Sequence, residues 1–385
     1  MTTHRDRFFR FMRGELPSER LFFPDISDWF SARRTRPGEA MRFGCGQYIA
    51  DDDPFNKVNV AVPDEFRDWT YLDFYRRFDW GLPVHIYYWF DTVYDGVRRE
   101  TSTEGGTMTI TLKTPHGELR KVRRLAEGGT WATTEEFVRN VDDLRLMRYV
   151  VEASEPRPRY DIIRRVLDGI GEMGVCDIYI PRSPMGKLVQ EYMGFEGTVY
   201  AMHERPDAIA DFLALQEAYD MRVVELAANA PARIVYLADH ADENLISPPM
   251  YATYCIPFYE KMCTVLHQAG KLVSTHLDGN FRGFFPLLAD THMDYLDGCT
   301  PAPMSNYEPE ELAAALPEGM HAHCGVPATL FTQGLPDEEI LAFGERILDA
   351  SDRFILTVGD LLPGPGDVRQ VIKLGEMVKR RNAAG

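Results

Sequence analysis

The chain has 385 residues and a formal net charge of −17, with 45% hydrophobic and 26% charged residues. This length allows one large α/β domain or two ordinary ones, and the composition is typical of a globular protein. The acidic balance argues against a nucleic-acid-binding surface, because binding to phosphates needs clustered cations. No apolar run approaches the roughly 20 residues that a membrane-spanning helix requires.

The N-terminus, MTTHRDRFFRFMRGELPSER, is basic but has no apolar signal core. It carries Asp6 and Glu15, which transit peptides usually avoid, so we interpret it as the first helix of a cytoplasmic protein. The six cysteines are scattered without a CxxC pair, so we expect a reducing compartment and no disulfide framework.

Short apolar runs alternate with longer amphipathic stretches along most of the chain. The predicted strands are 20–26, 83–90, 175–181, 233–239, 271–278, 294–298, 320–326 and 353–360. The clearest predicted helices are 206–230, 247–270, 308–316 and 336–351. Strands that alternate with helices imply a parallel sheet, and about eight such units imply a (β/α)8 barrel. A doubly wound open sheet is the alternative, but no GxGxxG motif follows a strand to support it.

The region from about 92 to 165 interrupts this alternation. Within it, GGTMTITLKTPHGELRKVRR (105–124) alternates with a period of two around a His116-Gly117 turn, which predicts a β-hairpin. We therefore expect one α/β domain over residues 1–385, a distorted (β/α)8 TIM barrel with an inserted β-hairpin. The hairpin either covers the barrel mouth or is a surface elaboration.

The strand at 271–278 ends in His276 and Asp278. In a (β/α)8 barrel the active site lies at the carboxyl ends of the strands, and residues i and i+2 of an extended segment point to one side. An imidazole and a carboxylate, joined by a ligand from another strand, can hold a divalent metal. The same pair could instead form a general acid–base, with Asp278 orienting His276, or could cap the next helix.

Titratable groups also lie at the ends of other predicted strands, with Asp297 at 294–298 and His321 and His323 at 320–326. Four more follow the strand at 233–239, namely Asp239, His240, Asp242 and Glu243. They could bind a metal, orient a substrate, or cap the helix that begins near Ser247. Asp360 lies in a Gly/Pro-rich loop after the strand at 353–360, where it could contact a ligand or simply accompany a turn.

Taken in order, these segments resemble the uroporphyrinogen decarboxylase superfamily, which contains the decarboxylase and metal-dependent methyltransferases that act with methylcobamide or corrinoid proteins. The densest match is 236–280, with an acidic turn, a Ser-Pro helix start, a Pro within the helix and the pattern G-x-x-x-x-x-H-x-x-G. Weaker matches are HCGVPATLFTQG (323–334) and LTVGDLLPGPGDVRQVI (356–372). The resemblance implies a distorted (β/α)8 barrel and, by default, a homodimer.

Individual motif residues distinguish the two branches of the superfamily that this chain resembles. The true decarboxylase has an Arg-Gln-Ala-Gly-Arg stretch near its N-terminus and a Gly-His-Gly loop near its C-terminus. This chain has no RQAGR, and Gly359-Asp360-Leu361 stands where the loop is expected. Decarboxylation of a porphyrinogen is therefore not expected.

Corrinoid-type methyltransferases hold zinc on a His-x-Cys pair and a later cysteine in a Gly-Cys-Gly loop. His276 matches the histidine, whereas Asp278 and Asp360 stand at the two cysteines. The resemblance thus implies a divalent metal (zinc, or else manganese or iron) on these three residues, which Glu243 could complete. Carboxylates in place of thiolates make such a site less thiophilic and suit an oxygen substrate, such as a methyl ether, a carboxylate or a phenol.

We therefore expect a metal-dependent enzyme that acts on a small oxygen-bearing molecule by methyl transfer or O-demethylation. A corrinoid protein is the candidate partner, and Glu243 or His240 would handle the proton. One alternative is a metal-free decarboxylase or lyase that uses Asp239 or His276 as acid or base. The other is a non-catalytic binding protein built on the same barrel.

Overall fold

The computed structural model describes residues 2–42, 45–47 and 49–384, without the side chain of Cys45. In chain order the strands are β1 (Leu82–Ile86), β2 (Phe90–Tyr94), β3 (Arg98–Glu104), β4 (Thr107–Thr114), β5 (Gly117–Leu125), β6 (Trp131–Glu135), β7 (Ser154–Pro158), β8 (Gly174–Ile180), β9 (Ile234–Leu237), β10 (Leu272–His276), β11 (Tyr295–Cys299), β12 (His321–Val326) and β13 (Phe354–Val358). Seven of them form one parallel sheet in the order β1-β8-β9-β10-β11-β12-β13.

Helices lie between most of the strands along the chain. They are α1 (His4–Met12), α2 (Ser27–Ala32), α3 (Tyr71–Phe78), α4 (Val141–Glu152), α5 (Tyr160–Ile170), α6 (Pro184–Lys187), α7 (Phe195–Glu204), α8 (Pro206–Ala228), α9 (Pro248–Met250), α10 (Ile256–Gln268), α11 (Pro309–Ala315), α12 (Asp337–Ala350) and α13 (Val368–Ala384). Short 3₁₀ turns occupy Cys45–Gln47, Pro54–Lys57, Asp64–Phe66, Arg282–Leu287, Ala289–Thr291 and Ala328–Thr332, and π turns occupy Leu188–Tyr192 and Tyr251–Cys255. The strands of the parallel sheet are buried almost throughout, which explains their continuous apolar runs.

The segment around Phe22 closes the sheet between β13 and β1. The Phe23 amide donates to the Leu356 carbonyl at 3.0 Å, and the Gly81 amide donates to the Phe22 carbonyl at 3.1 Å. The strand predicted at 20–26 therefore takes the eighth position, although only Phe22 forms a bridge. Pro24 has no amide hydrogen, so regular pairing cannot continue past it. The distorted (β/α)8 barrel expected from the sequence is confirmed.

The predicted hairpin is present as β4 and β5, and it belongs to a larger insertion. Thr114 pairs with Gly117, so the two loop residues are Pro115 and His116, one position before the predicted turn. The hairpin is part of a four-stranded antiparallel sheet, β3-β4-β5-β6, and β2 pairs separately with β7. Leu112 and Leu119 of this sheet pack with α4 in a second hydrophobic core outside the barrel.

The helix predicted at 247–270 is interrupted where it approaches Pro257. It begins as α9, continues through the π turn Tyr251–Cys255 and proceeds as α10. Since proline lacks an amide hydrogen, a wider turn before it accommodates the missing hydrogen bond. Ser247 caps this helix, because its hydroxyl accepts a hydrogen bond from the Met250 amide at 3.4 Å.

The described cysteines agree with a packing role. Their thiols are buried and unpaired, at Cys176, Cys255, Cys263, Cys299 and Cys324. A search of the described helices for a bilayer-spanning segment found none of sufficient length and apolarity.

Candidate metal centre

His276 is the last residue of β10, and it is almost completely buried at the carboxyl end of the sheet. Its Nε2 atom lies 3.6 Å from Asp278 Oδ2 and 3.6 Å from Asp360 Oδ1. Asp278 follows β10 by two residues, and Asp360 follows β13 by two residues. Although β10 ends before Asp278, the structure brings together the three residues that the sequence nominated as metal ligands.

The His276 Nε2 atom is buried and has no hydrogen-bond partner among the described residues. The two carboxylate oxygens at 3.6 Å are beyond normal hydrogen-bond distance. Leaving a buried polar nitrogen unpaired costs free energy, and such atoms are rare in folded proteins. A divalent cation between one imidazole nitrogen and two carboxylates would satisfy all three groups, and this donor set suits zinc, manganese or iron.

His240 joins this cluster from the loop that follows β9. Its Nδ1 lies 3.2 Å from Asp278 Oδ1, and its ring centroid is 4.3 Å from that of His276. Its backbone has φ of 46°, an uncommon conformation that turns the chain at the end of the strand. His240, His276 and Asp278 offer donor atoms that all lie within 4.8 Å of one another. His240, which the sequence nominated to handle a proton, thus also lies close enough to His276 and Asp278 to share a metal ion with them.

Asp297 lies behind His276, on the neighbouring strand β11. Its Oδ2 faces His276 Nδ1 at 3.4 Å, and its Oδ1 lies 2.7 Å from His323 Nδ1. The Tyr236 hydroxyl also contacts His276 Nδ1. A second compatible donor set, within the same 4.8 Å limit, consists of His276, Asp297 and Asp360. The sequence placed Asp297 and His323 among the polar residues at predicted strand ends, but it assigned neither of them a role.

Electrostatics couple these groups strongly. Burial alone would lower the pKa of His276, but the carboxylates of Asp360, Asp278 and Asp297 raise it well above its ordinary value. Burial also raises the pKa of Asp360, with His276 opposing. For Asp278, by contrast, the hydrogen bond with His240 and the neighbouring imidazole of His276 outweigh burial and hold the pKa well below its usual range. Three acidic side chains around a buried histidine make this a strongly negative pocket for a cation.

A second histidine–aspartate pair joins β1 to β8, with His85 half-buried and Asp177 buried. His85 Nδ1 is 2.8 Å from Asp177 Oδ2, and the two residues are direct partners in the parallel register of β1 and β8. Burial opposes protonation, yet the carboxylates of Asp177, Asp297 and Asp25 raise the pKa of His85 to about 10. The sequence predicted no role for this pair. Its signal was a charged residue in the interior of each of two apolar strands.

Asp239 is fully buried and lies in a separate hydrogen-bond network. Its Oδ1 accepts hydrogen bonds from the Ser183 amide at 3.0 Å and from the Ser183 hydroxyl at 2.9 Å, and its Oδ2 accepts one from the Tyr259 hydroxyl. These contacts tie the loop after β8 to α10. Asp239 is therefore not among the residues that the structure gathers around His276.

Glu243, nominated as a further ligand or proton acceptor, connects two loops instead. Its Oε2 accepts a hydrogen bond from the Gly283 amide at 2.5 Å, and its Oε1 accepts one from Asn306 Nδ2 at 2.7 Å. Both oxygens are thus engaged with neighbouring loops. The sequence nominated Glu243 as the residue that could complete the metal site. In the structure His240, and not Glu243, lies beside Asp278.

Comparison with known proteins gives a consistent family assignment. A sequence profile described as uroporphyrinogen decarboxylase (URO-D) matches residues 124–340, more than half of the chain. No curated protein matches the chain significantly by sequence.

Solved structures reproduce the fold. A methyltransferase from Methanosarcina mazei superposes with a TM-score of 0.63 at 12% sequence identity, and 99% of each chain is covered. An endo-β-1,4-mannanase from Thermotoga petrophila gives a TM-score of 0.44 at 9% identity, covering 96% of this chain and 78% of that one. An α-galactosidase from Saccharomyces cerevisiae gives 0.40 at 9% identity, covering 96% and 65%. At 12% identity the likeness to the methyltransferase shows the fold alone.

Proposed function

Because this chain belongs to the uroporphyrinogen decarboxylase family, with the profile matching residues 124–340, we propose that it is a metal-dependent enzyme of that family. The proposed reaction is methyl transfer from, or O-demethylation of, a small oxygen-bearing substrate at the barrel mouth. The structural similarity to a methyltransferase across 99% of both chains is consistent with this branch of the family.

One observation carries the proposal. The Nε2 atom of His276 is buried, has no hydrogen-bond partner among the described residues, and faces carboxylate oxygens of Asp278 and Asp360 at 3.6 Å each. A hydrogen-bonded acid–base pair would show shorter contacts, whereas ligands around a cation stand apart in this way. The donor set therefore favours a metal centre over an isolated His-Asp dyad.

His276, Asp278 and Asp360 would hold the metal, and His240 lies where it can add a fourth ligand. A divalent metal there would supply Lewis-acid activation of a substrate oxygen. If His240 stays unligated, its imidazole is the nearest group to hold or release a proton beside Asp278. Burial, followed by the neighbouring His276, lowers the pKa of His240, which favours the neutral, proton-accepting form.

The carboxylates favour an oxygen substrate over a thiol. Hard oxygen ligands at Asp278 and Asp360 leave a bound metal more acidic and less thiophilic than thiolates would. A methyl ether, a carboxylate or a phenol therefore fits better than a thiol. Two further predictions are that a corrinoid protein accepts the methyl group and that the chain forms a homodimer.

The metal-free lyase alternative receives less support from the geometry. One of its two candidate acids or bases, Asp239, is fully buried and accepts three hydrogen bonds from Ser183 and Tyr259, and the other, His276, belongs to the candidate metal centre. A carboxylate engaged in this way is a structural anchor for the loops around it. The remaining alternative, a non-catalytic binding protein, is distinguished from the proposed enzyme by the activity measurement described below.

Metal content is the direct test. Protein purified without chelator and reconstituted separately with Zn²⁺, Mn²⁺ or Fe²⁺ should bind tightly, since a preformed site has high affinity. His276→Ala and Asp360→Ala should each abolish binding while the far-UV circular dichroism spectrum stays unchanged. His116→Ala and Asp352→Ala, at exposed positions, are the matched controls. Wild-type occupancy below roughly 0.2 metal per chain after every reconstitution would refute the proposal, because a preformed site should exceed contamination levels.

Activity is the second test. The reconstituted protein should transfer a methyl group from an aryl or alkyl methyl ether to reduced cobalamin, and His276→Ala should not. Full metal occupancy without turnover of ethers, methyl carboxylates or methoxyphenols would favour the non-catalytic binding protein.

A further inference from the structure

Asp297 stands between two buried imidazoles. Its Oδ1 lies 2.7 Å from His323 Nδ1, and its Oδ2 lies 3.4 Å from His276 Nδ1. The three side chains project from neighbouring strands, β10, β11 and β12, of the parallel sheet. A continuous line of contacts therefore runs from His323 through Asp297 to the candidate metal ligand.

The chemistry of Asp297 determines which nitrogen of each ring carries hydrogen. An ionised carboxylate only accepts hydrogen bonds, so a nitrogen that pairs with it must be a donor. His323 Nδ1 and His276 Nδ1 are then both protonated. In neutral His276 this leaves the lone pair on Nε2, the atom that faces Asp278 and Asp360.

His323 is held firmly enough to anchor this line. It is 6% exposed, and its ring lies 5.1 Å from the ring of Tyr295 and 6.1 Å, edge to face, from that of Phe8. Packing on both sides restricts rotation of the imidazole. Because one oxygen of Asp297 lies 2.7 Å from His323, the carboxylate is in turn limited to orientations that direct its other oxygen at His276.

We propose that Asp297 and His323 are positioning residues for the metal centre, with His323 holding Asp297 and Asp297 holding His276 so that Nε2 faces the metal. This inference rests on the proposed function, because it assigns the support of the same site. Metal ligands of the imidazole type commonly need such a partner, and its loss typically lowers affinity or activity by ~10–100-fold.

Substitutions at both positions test the relay through metal affinity. Asp297→Asn should weaken metal binding by ~10–100-fold, as expected for an outer hydrogen-bond partner. His323→Asn keeps a side-chain N–H that can donate to Asp297, so it should retain more affinity than His323→Leu, which has no donor. Thermal unfolding of all variants is measured in parallel. If Asp297→Asn binds metal as tightly as the wild type, or if His323→Asn and His323→Leu lose equal affinity, the relay is overturned.

Tyr236 is the competing partner, because its hydroxyl also contacts His276 Nδ1. Tyr236→Phe removes that hydroxyl and keeps the ring. The relay predicts a smaller loss of metal affinity for Tyr236→Phe than for Asp297→Asn. The reverse order would assign the orientation of His276 to Tyr236 and would overturn the proposal.

A measurement on metal-free protein keeps this inference separate from the proposed function. With ¹⁵N-labelled histidine, the His276 Nδ1 proton should give a downfield, slowly exchanging resonance that disappears in Asp297→Asn and persists in Tyr236→Phe. Persistence of the resonance in Asp297→Asn would contradict the relay. If the wild type shows the resonance but binds no metal, the proposed function fails while the hydrogen-bond relay stands.

Discussion

Gly298 leaves the space in which the imidazole of His276 lies. A methyl group added at Gly298 would stand 2.4 Å from His276 Cε1 and 2.7 Å from His276 Nδ1. Gly298 also has φ of +75°, a conformation that side-chain-bearing residues rarely adopt. The Asp297-Gly298 pair therefore supplies both a hydrogen-bond partner for the imidazole and the room for it.

Gly298→Ala should therefore abolish metal binding as well as destabilise the fold. Gly319→Ala is the matched control, because Gly319 has φ of +81° with no atom within 4 Å of an added methyl group. Both variants pay ~1–2 kcal/mol for a left-handed alanine. Only Gly298→Ala should also displace His276, which calorimetric titration with metal would detect. Equal metal affinity in the two variants would show that the ring adapts.

Replacing the two carboxylates with thiolates should change which metal is preferred. The double substitution Asp278→Cys and Asp360→Cys creates a His-Cys-Cys donor set, and soft sulfur ligands select zinc over manganese. Competition between Zn²⁺ and Mn²⁺ should shift strongly toward Zn²⁺ relative to the wild type. The control is Asp290→Cys with Asp352→Cys, which adds two thiols at exposed positions. The same shift in that control would mean that the thiols bind zinc outside the site.

Asp239→Asn should lower stability and leave metal binding intact. The amide offers one acceptor oxygen in place of two, whereas Asp239 now accepts three hydrogen bonds from Ser183 and Tyr259. Loss of hydrogen bonds to a buried charged group costs about 3 kcal/mol, measurable by urea unfolding. Asp211→Asn, on the exposed face of α8, should cost far less. A stable Asp239→Asn protein that keeps its metal but loses activity would revive the lyase mechanism.

Asp220 should make stability depend on pH. Burial raises the pKa of Asp220 to about 6, although its carboxylate accepts hydrogen bonds from Lys187 and from Gln216. Between pH ~4 and ~6 the folded chain keeps a proton there that the unfolded chain has lost, so the free energy of unfolding falls as pH rises through this window. The contribution is about 3 kcal/mol for a shift of roughly two pKa units.

The measurement compares Asp220→Asn with the wild type by urea unfolding at pH 4.5, near the lower end of the window of about 4 to 6, and at pH 7, above it. The stability of the variant relative to the wild type should rise with pH, because asparagine carries no charge to bury. A difference that is constant across the two pH values would show that Lys187 neutralises Asp220 fully.

Some features of the fold and of the candidate site could be predicted from sequence patterns, and others could not. The apolar run 271–278 predicted a buried strand, and β10 occupies Leu272–His276. His276, Asp278 and Asp360 were nominated because parallel strands end at one edge and because the family pattern placed them there. The sequence did not predict a functional role for four other residues of the site and its surroundings, namely Asp297, His323, His85 and Asp177. Each depends on a partner in another strand, and no local pattern states which strands are neighbours.

The alternation of strands and helices was thus determined by the sequence itself, because hydrophobic periodicity is a local property of the chain. The candidate ligands could also be nominated from it, because strand ends and family motifs are local as well. Only the tertiary structure decided that His240 rather than Glu243 lies beside Asp278, and that Asp239 is a buried anchor. Loop conformations and hydrogen-bond partners across the barrel follow from packing between distant segments, which sequence spacing does not encode.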